Sequence, residues 1–189
     1  MQIAKINAWI LPSLLVCSLS ANLLLTQRLR AVPSIGFTGP NSLPIGTQLP
    51  PLEFKHEDGS PALVNWNTGQ PTLIYFFDPY CVWCKRNADA LASLVDQTTP
   101  RLRFYSYTAR LKGLDEFRKA TKHSMPVLTD GSEDIRKALH LSSTPTTVLV
   151  DTEGKVVQVW RGAYMGATGK AVSKYFQARL AAVPVGPHP

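Results

Sequence analysis

Two cysteines stand three positions apart in the sequence, Cys81 and Cys84, and two basic residues, Lys85 and Arg86, follow them. Such a pair can cycle between a dithiol and a disulfide, because one thiolate attacks a disulfide and the second thiol releases the product. If Cys81 begins a helix, unpaired N–H groups and the helix macrodipole lower its pKa below the free-thiol value of about 8.5. The carboxylate of Asp78 opposes that shift. The pair therefore predicts redox chemistry, with Cys81 attacking and Cys84 resolving.

The residues around the pair predict a strand, a turn and a helix. Residues 72–77 are apolar and rich in β-branched and aromatic side chains, which is typical of a short buried strand. Asp78-Pro79-Tyr80 ends that strand. From Val82 to about Gln97, residues on one face recur every three or four positions, and this face includes Cys84 and Asn87. We therefore expect Cys81 at the start of a helix that follows a central strand.

Three other interpretations of the pair remain open. A zinc site needs two further ligands, but Cys17 lies in an apolar segment, and His123 and His140 are too far apart for a zinc-binding histidine pair. A structural disulfide across so short a loop would add little stability through chain entropy. Two unrelated buried thiols are the third interpretation. For the two histidines, which lie near the ends of predicted elements, we expect capping or surface roles.

Strands alternate with helices along the rest of the chain and end in a hairpin. This order predicts an α/β fold in which helices cover both faces of a sheet with parallel and antiparallel neighbours. The remaining predicted elements are a hairpin over 52–54 and 62–64, a strand over 102–107, a helix over 114–122, a strand over 125–128, a helix over 133–139, a hairpin over 146–150 and 156–160, and a helix over 168–180.

Several motifs resemble those of the thioredoxin-like superfamily and, within it, the TlpA/ResA-like membrane-tethered thiol-disulfide oxidoreductases. Besides the cysteine pair, they are the segments 46–50 (GTQLP), 58–59 (DG) and 143–151 (STPTTVLVD), which follow the family's order. The sequence departs from the family at two positions. Tyr80 stands where Trp is common before the first cysteine, and Tyr75 stands where thioredoxins carry a buried Asp.

The resemblance implies a thioredoxin-like fold with a central mixed sheet, helices on both faces and an N-terminal β-hairpin. It also implies a cis bond between Thr144 and Pro145, with the proline against the cysteines and the Thr144 backbone open to an extended substrate segment. No metal or organic cofactor is implied. The expected catalytic residues are Cys81 and Cys84, and the expected substrate-binding residues are Tyr80, Val82, Trp83, Thr144 and Pro145.

The same resemblance implies a reductant that acts on disulfide or dithiol groups of exported proteins and is re-reduced by a membrane thiol-electron donor. A disulfide oxidase or isomerase is one alternative, and the reduction potential would separate it from a reductant. A binding or assembly module that uses its cysteines only structurally is another. Replacing Cys84 by Ser separates enzyme from module, because only the enzyme would accumulate mixed disulfides.

Residues 1–30 predict a membrane anchor or signal segment. Residues 8–25 carry no charge and, at about 1.5 Å per residue, a helix over them would span roughly 27 Å, close to the hydrocarbon core of a bilayer. An uncleaved anchor, a cleaved signal peptide and a lipidated Cys17 remain open, and each would export the domain. By the resemblance, we expect the domain to lie on the periplasmic side of an inner membrane.

Composition predicts the boundaries of the remaining segments and argues against nucleic acid as a partner. Residues 31–46 are rich in Pro, Gly, Ser and Asn, which predicts a flexible tether. Residues 47–182 are expected to form the thioredoxin-like domain, and 183–189 a flexible tail. The net charge of +7 is scattered rather than concentrated in a basic stripe, so we expect no nucleic-acid binding.

Overall fold

The computed structural model describes residues 43–131, 139 and 143–186. Several expectations therefore fall outside the described residues: the anchor or signal segment 1–30, most of the tether 31–46, the helix 133–139 apart from Leu139, His140, and the end of the tail. Among the helices of the described part, none is long and apolar enough to cross a membrane.

The described elements confirm a mixed α/β architecture with an N-terminal hairpin. The larger sheet has the strand order β5–β4–β3–β6–β7, in which β3, β4 and β5 run parallel while β6 is antiparallel to both β3 and β7. The strands are β1 (Leu52–Lys55), β2 (Pro61–Val64), β3 (Thr72–Phe76), β4 (Arg103–Tyr107), β5 (Val127–Leu128), β6 (Thr146–Val150) and β7 (Val156–Arg161); the helices are α1 (Val82–Arg86), α2 (Ala88–Thr98), α3 (Leu114–Thr121) and α4 (Gly166–Phe176).

β3 is the central strand, and all of its residues are buried. Successive side chains of a strand point to opposite faces of the sheet. Leu73 and Tyr75 accordingly join the core that contains Cys84, while Ile74 and Phe76 join the core on the other face. A strand that is covered on both faces has to be apolar throughout, as the sequence of β3 is. Its carboxyl end therefore holds the cysteine pair at the middle of the sheet.

The antiparallel hairpin of β1 and β2 packs on the face opposite to Cys84. Alternate residues, Leu52 and Phe54 on β1 and Ala62 and Val64 on β2, are buried in that core. Backbone hydrogen bonds of 2.9 and 2.8 Å between Lys55 and Thr129 join the hairpin to the chain that leaves β5. The predicted N-terminal hairpin is therefore confirmed, with each strand one residue longer than expected.

The helices differ from the prediction mainly where tertiary contacts act. The single helix expected over 82–97 is two helices, α1 and α2, separated at Asn87, whose side chain is buried and bonded to other elements. The last helix ends at Phe176 rather than 180, because Gln177 adopts a left-handed conformation (φ 53°) that terminates it. The strand expected over 125–128 is reduced to β5, although the carbonyl of Pro126 just before it also accepts the N–H of Ser106 on β4.

His123 does not take the capping or surface role expected for it. Its ring packs at 5.3 Å from the ring of Phe77 and 5.7 Å from that of Phe117. One ring nitrogen lies 2.9 Å from the hydroxyl oxygen of Ser106. Burial, and then the nearby Arg118 guanidinium, lower the pKa of His123 to about 4, so the imidazole is neutral at physiological pH. This histidine belongs to the aromatic core between β3 and α3.

Candidate active site

A tight turn connects β3 to α1 and holds Cys81 at the end of the sheet. The Asp78 carboxylate accepts the N–H of Tyr80 at 2.8 Å, and the Asp78 carbonyl accepts the N–H of Cys81 at 2.9 Å. Asp is favoured in turns because its side chain can bond the backbone two residues on. Cys81 is then the residue that caps α1, with extended backbone angles (φ −71°, ψ 114°). The predicted placement of Cys81 before a helix is confirmed.

The two thiols occupy different environments. Cys81 is partly exposed, whereas Cys84 is completely buried in the core beside Leu73 and Tyr75. The sulfur of Cys81 accepts the backbone N–H of Cys84 at 3.1 Å, so the thiol itself caps the helix. A reagent or substrate from solvent therefore meets Cys81 first.

Hydrogen bonding separates the pKa values of the two thiols. The Cys84 side chain donates to the Cys81 sulfur, and this bond is the largest cause of a pKa near 6 for Cys81; partial burial opposes it, and the Thr144 side chain and the N–H groups of Cys84 and Trp83 assist it. The same bond and its own burial raise the pKa of Cys84. Cys81 is therefore mostly thiolate at neutral pH while Cys84 remains protonated.

Arg110 compensates the carboxylate that the sequence places near Cys81. Nε of Arg110 lies 3.5 Å from Oδ2 of Asp78, while Oδ1 of Asp78 accepts the Tyr80 N–H. Both carboxylate oxygens are thus engaged by positive or partially positive groups. The expected opposition of Asp78 to ionisation of Cys81 is reduced by a residue that follows β4, which the local sequence around the cysteines does not reveal.

The loop before β6 lies against the pair. The Thr144–Pro145 bond is cis, as the resemblance implies. The carbonyl oxygen of Thr144 lies 3.6 Å from the Cys81 sulfur, within reach of the protonated thiol. Thr144 is exposed and Pro145 is buried. Of the predicted substrate-binding residues, Thr144 is therefore brought directly to the reactive sulfur.

The other predicted substrate-binding residues form an exposed rim in the same turn. Tyr80, Val82 and Trp83 keep 51%, 36% and 41% of their surface accessible, which is unusual for large apolar side chains. The ring of Tyr80 rests on Gly113, where an added Cβ would lie 2.9 Å from Cζ of the tyrosine. Gly113 also has a φ of 83°, which disfavours other residues, so this position needs glycine for two reasons.

A buried polar network beneath the pair is the main feature that the sequence analysis did not predict. Asn87 donates from Nδ2 to the hydroxyl oxygen of Tyr75 at 3.3 Å and accepts the N–H of Tyr164 at 2.6 Å. The hydroxyl of Tyr164 in turn bonds that of Thr147 at 2.7 Å. Burial, followed by the electrostatic influence of Cys84, raises the pKa of Tyr75 well above its ordinary value. An asparagine on the apolar face of the predicted helix was the available signal for this network.

Within the described residues, no group of three or more His, Cys, Asp or Glu side chains is arranged to hold a metal ion.

A Cys-x-x-Cys pair after the central strand of a mixed sheet, with a cis-proline loop against it, defines the class of thioredoxin-like proteins. The profile of the thioredoxin-like domain family matches residues 65–177, which is more than half of the chain. The chain therefore belongs to the thioredoxin-like domain family.

Named relatives and solved structures agree with this family. The chain is 26% identical over 97 residues to sporulation thiol-disulfide oxidoreductase A of Bacillus subtilis, an alignment that covers 48% of this chain and 58% of the relative. The thioredoxin domain of a thiol-disulfide oxidoreductase from Bacteroides vulgatus superposes with a TM-score of 0.57 at 20% identity, over 71% of this chain and 99% of that one. A thiol:disulfide interchange protein from Bacteroides sp. gives a TM-score of 0.55 at 20% identity, over 71% and 91%. The structural likenesses establish the fold.

Proposed function

We propose that this protein is a thiol-disulfide oxidoreductase whose attacking group is the Cys81 thiolate. The observation that carries the proposal is the contrast at one turn between a partly exposed thiol with a lowered pKa and a buried thiol with a raised one. The thiolate is the nucleophile in disulfide exchange, so a pKa near 6 keeps Cys81 reactive at neutral pH.

Exchange proceeds in two steps in the reducing direction. The Cys81 thiolate attacks one sulfur of a substrate disulfide, the substrate S–S bond breaks, and a mixed disulfide forms while the second substrate sulfur leaves as a thiolate. The Cys81 sulfur then carries no negative charge, so the hydrogen bond that raises the pKa of Cys84 is lost. Cys84 gives up its proton and its sulfur attacks the Cys81 sulfur, so the mixed S–S bond breaks and the first substrate sulfur also leaves as a thiolate. The products are a Cys81–Cys84 disulfide and a reduced substrate. The substrate gains two electrons; one of its two protons comes from Cys84 and the other from solvent, because Cys81 starts as a thiolate.

The resemblance to the membrane-tethered thiol-disulfide oxidoreductases supports the reducing direction. Thioredoxin-like reductants have reduction potentials near about −270 mV, and strong oxidants have potentials near about −120 mV. A potential nearer the first value is therefore expected, and equilibration with glutathione buffers measures it.

We further propose that residues 47–182 work outside the cytoplasm, held at an inner membrane by residues 1–30 through the tether 31–46. The uncharged stretch 8–25 and the family resemblance support this arrangement. The expected flexible tail 183–189 is held at its start, because Val183 is buried in the core and the carbonyl of Gly186 accepts a hydrogen bond from Arg86. The substrates would be exported proteins with disulfide or dithiol groups, and a membrane thiol-electron donor would restore the dithiol.

Trapping with a Cys84→Ser variant tests the proposal. The variant keeps the attacking thiolate but cannot resolve the mixed disulfide, so covalent adducts with exported proteins should accumulate and disappear on reduction with dithiothreitol. A Cys81→Ser variant is the control and should form none. Absence of adducts in Cys84→Ser with full biological function retained would favour a non-catalytic binding module. A measured potential near about −120 mV would instead favour a disulfide oxidase or isomerase.

A further inference from the structure

Two exposed aromatic rings flank Cys81 in the turn, and an arginine stacks on each. The guanidinium of Arg110 lies 5.4 Å from the ring centroid of Tyr80, and that of Arg86 lies 5.0 Å from the ring centroid of Trp83. Stacking of this kind holds a guanidinium in place while its N–H groups remain able to bond a partner. Tyr80 and Trp83, which flank Cys81 in the sequence, therefore each combine exposed apolar surface with an oriented cation.

The two arginines differ in how their charge is compensated. Arg110 is paired with Asp78 at 3.5 Å. Arg86 has no carboxylate within ion-pair distance among the described residues, and its Nη2 donates to the neutral carbonyl of Gly186 at 2.5 Å. The neighbouring Lys85 adds a further positive charge. Among the described residues the Trp83 side therefore keeps an excess of positive charge, because Asp89 in the first turn of α2 offsets only one of the two cations Lys85 and Arg86.

The Tyr80 side is close to electrically balanced. The loop that supports Tyr80 carries Lys112 before Gly113, and α3 begins directly after it with Asp115 and Glu116 in its first turn. Together with the Arg110–Asp78 pair, these groups leave no excess of positive charge on this side. The same loop exposes Leu111, which is 44% accessible. This side therefore offers mainly apolar contact.

We propose that this asymmetry selects the substrate segment: an extended polypeptide whose reactive cysteine has an acidic side chain towards Arg86 and Trp83 and an apolar side chain towards Tyr80 and Leu111. The inference rests on the proposed function and specifies its substrate class. A carboxylate can accept two parallel hydrogen bonds from a guanidinium, and within the part of the chain that the structure describes Arg110 is paired with Asp78 while no carboxylate pairs with Arg86. An apolar side chain covering Tyr80 removes exposed aromatic surface from water.

The experiment uses the reduced protein and synthetic peptides that carry an intermolecular disulfide. Two pairs of peptides are compared. Within each pair, one peptide has Glu and the other has Gln at a position two residues from the cysteine. This position lies on the amino-terminal side of the cysteine in one pair and on the carboxyl-terminal side in the other. We expect wild-type protein to reduce the Glu peptide about fivefold faster than its Gln partner in one of the two orientations, with the preference lost at about 0.5 M salt. Arg86→Gln should bring the Glu/Gln rate ratio close to one, and Arg86→Lys should retain part of the preference.

Lys174→Gln is the matched control. It also removes one positive charge, but Lys174 lies in the last turn of α4, next to Phe176, whose carbonyl bonds Arg101 at the opposite end of the sheet from Cys81. This variant should keep the wild-type ratio. Equal rates for the Glu and Gln peptides in both orientations, or a ratio that falls as much in Lys174→Gln as in Arg86→Gln, would overturn the inference.

Two further measurements distinguish a failure of this inference from a failure of the proposed function, and a peptide partner from a membrane. Reduction of the uncharged 2-hydroxyethyl disulfide by wild-type protein reports the proposed function alone, so reduction without any peptide preference overturns only the inference, and no reduction at all overturns both. Co-sedimentation with phosphatidylglycerol vesicles tests a lipid surface as the occupant. Vesicle binding that requires Arg86 and Trp83, together with equal peptide rates, would assign the rim to a membrane and overturn the peptide proposal.

Discussion

The solvent side of the redox turn and the core side beneath it contain similar residue types in different settings. Tyr80 is half exposed, with its ring between Gly113 and Arg110. Tyr75, five residues earlier, is buried and its hydroxyl accepts a hydrogen bond from Asn87. The cysteines divide in the same way, with Cys81 on the solvent side and Cys84 on the core side. The side chains on the solvent side are accessible to a substrate. The buried polar groups on the core side need hydrogen-bond partners within the protein.

The largest expected difference between the two sides is thiol reactivity. Iodoacetamide should label Cys81 about 100-fold faster than Cys84 at neutral pH, because only Cys81 is both exposed and ionised. The rate for Cys81 should rise as the pH increases through about 6 and then level off, since the thiolate is the reacting form. Mass-spectrometric mapping of early samples measures both rates. Faster labelling of Cys84 would contradict the expected difference between the two thiols. So would a pH dependence of the Cys81 rate whose midpoint lies near the pKa of a free thiol.

The same pKa makes the stability of the reduced protein depend on pH. The pKa of Cys81 is lower in the folded protein than in an unfolded chain, so its ionisation stabilises the folded state fully above the unfolded value, near 8.5. This contribution is lost as the pH falls towards about 6. Urea unfolding of reduced wild-type protein and of Cys81→Ser between pH 5 and about 9 measures it. The difference in unfolding free energy should grow in favour of the wild type as the pH rises; a constant difference would exclude the pKa shift.

On the core side, the largest expected effect comes from removing Asn87. Asn87→Ala leaves the Tyr75 hydroxyl and the Tyr164 N–H without the partners they have in the buried network, which should lower the unfolding free energy by about 3 kcal/mol. Urea unfolding of the oxidised protein measures the loss. Asp96→Ala, an exposed change in α2, the helix that follows Asn87, should cost less than about 0.5 kcal/mol. Similar losses in the two variants would mean that the network contributes no stability.

A smaller effect is expected where Gly113 supports Tyr80. Gly113→Ala combines strain at positive φ with a contact of 2.9 Å to the tyrosine ring, while Gly162→Ala at nearly the same φ (84° against 83°) meets no atom within 4 Å. In both variants the backbone strain should lower the unfolding free energy by about 1 kcal/mol. In Gly113→Ala the contact with the tyrosine ring should lower it by about 1 kcal/mol more. Introducing Tyr80→Ala should remove that additional loss. If the two glycine variants unfold alike, Tyr80 does not depend on Gly113.

The smallest expected effect concerns the charge next to Cys81. Arg110→Gln leaves the Asp78 carboxylate uncompensated, which should raise the pKa of Cys81 and slow its alkylation about twofold near pH 6. The effect is small because the pair is largely exposed to solvent. Adding Asp78→Asn should restore the rate. An unchanged rate in Arg110→Gln would show that Asp78 does not influence the thiolate.

Local patterns determined much of the fold and the position of the chemistry. The burial of β3, the alternation in the hairpin and the placement of Cys81 just before a helix were predicted from neighbouring residues, and each is confirmed. The cis bond at Thr144–Pro145 was expected from the resemblance of residues 143–151 to a known motif, and it too is confirmed. These features could be predicted because periodicity and turn chemistry act over a few residues.

Tertiary structure alone decided which distant residues complete the site. Asn87 meets Tyr164 across 77 positions, and Arg110 reaches both Asp78 and Tyr80 from the loop after β4. His123 was expected at the surface but is half-buried, with its ring packed against those of Phe77 and Phe117. The physical reason is that such contacts depend on strand register and on how helices pack over the sheet. The sequence by itself therefore determined that Cys81 stands at the start of a helix after the central strand, and only the folded chain decided which groups set its pKa and which charges and side chains surround it.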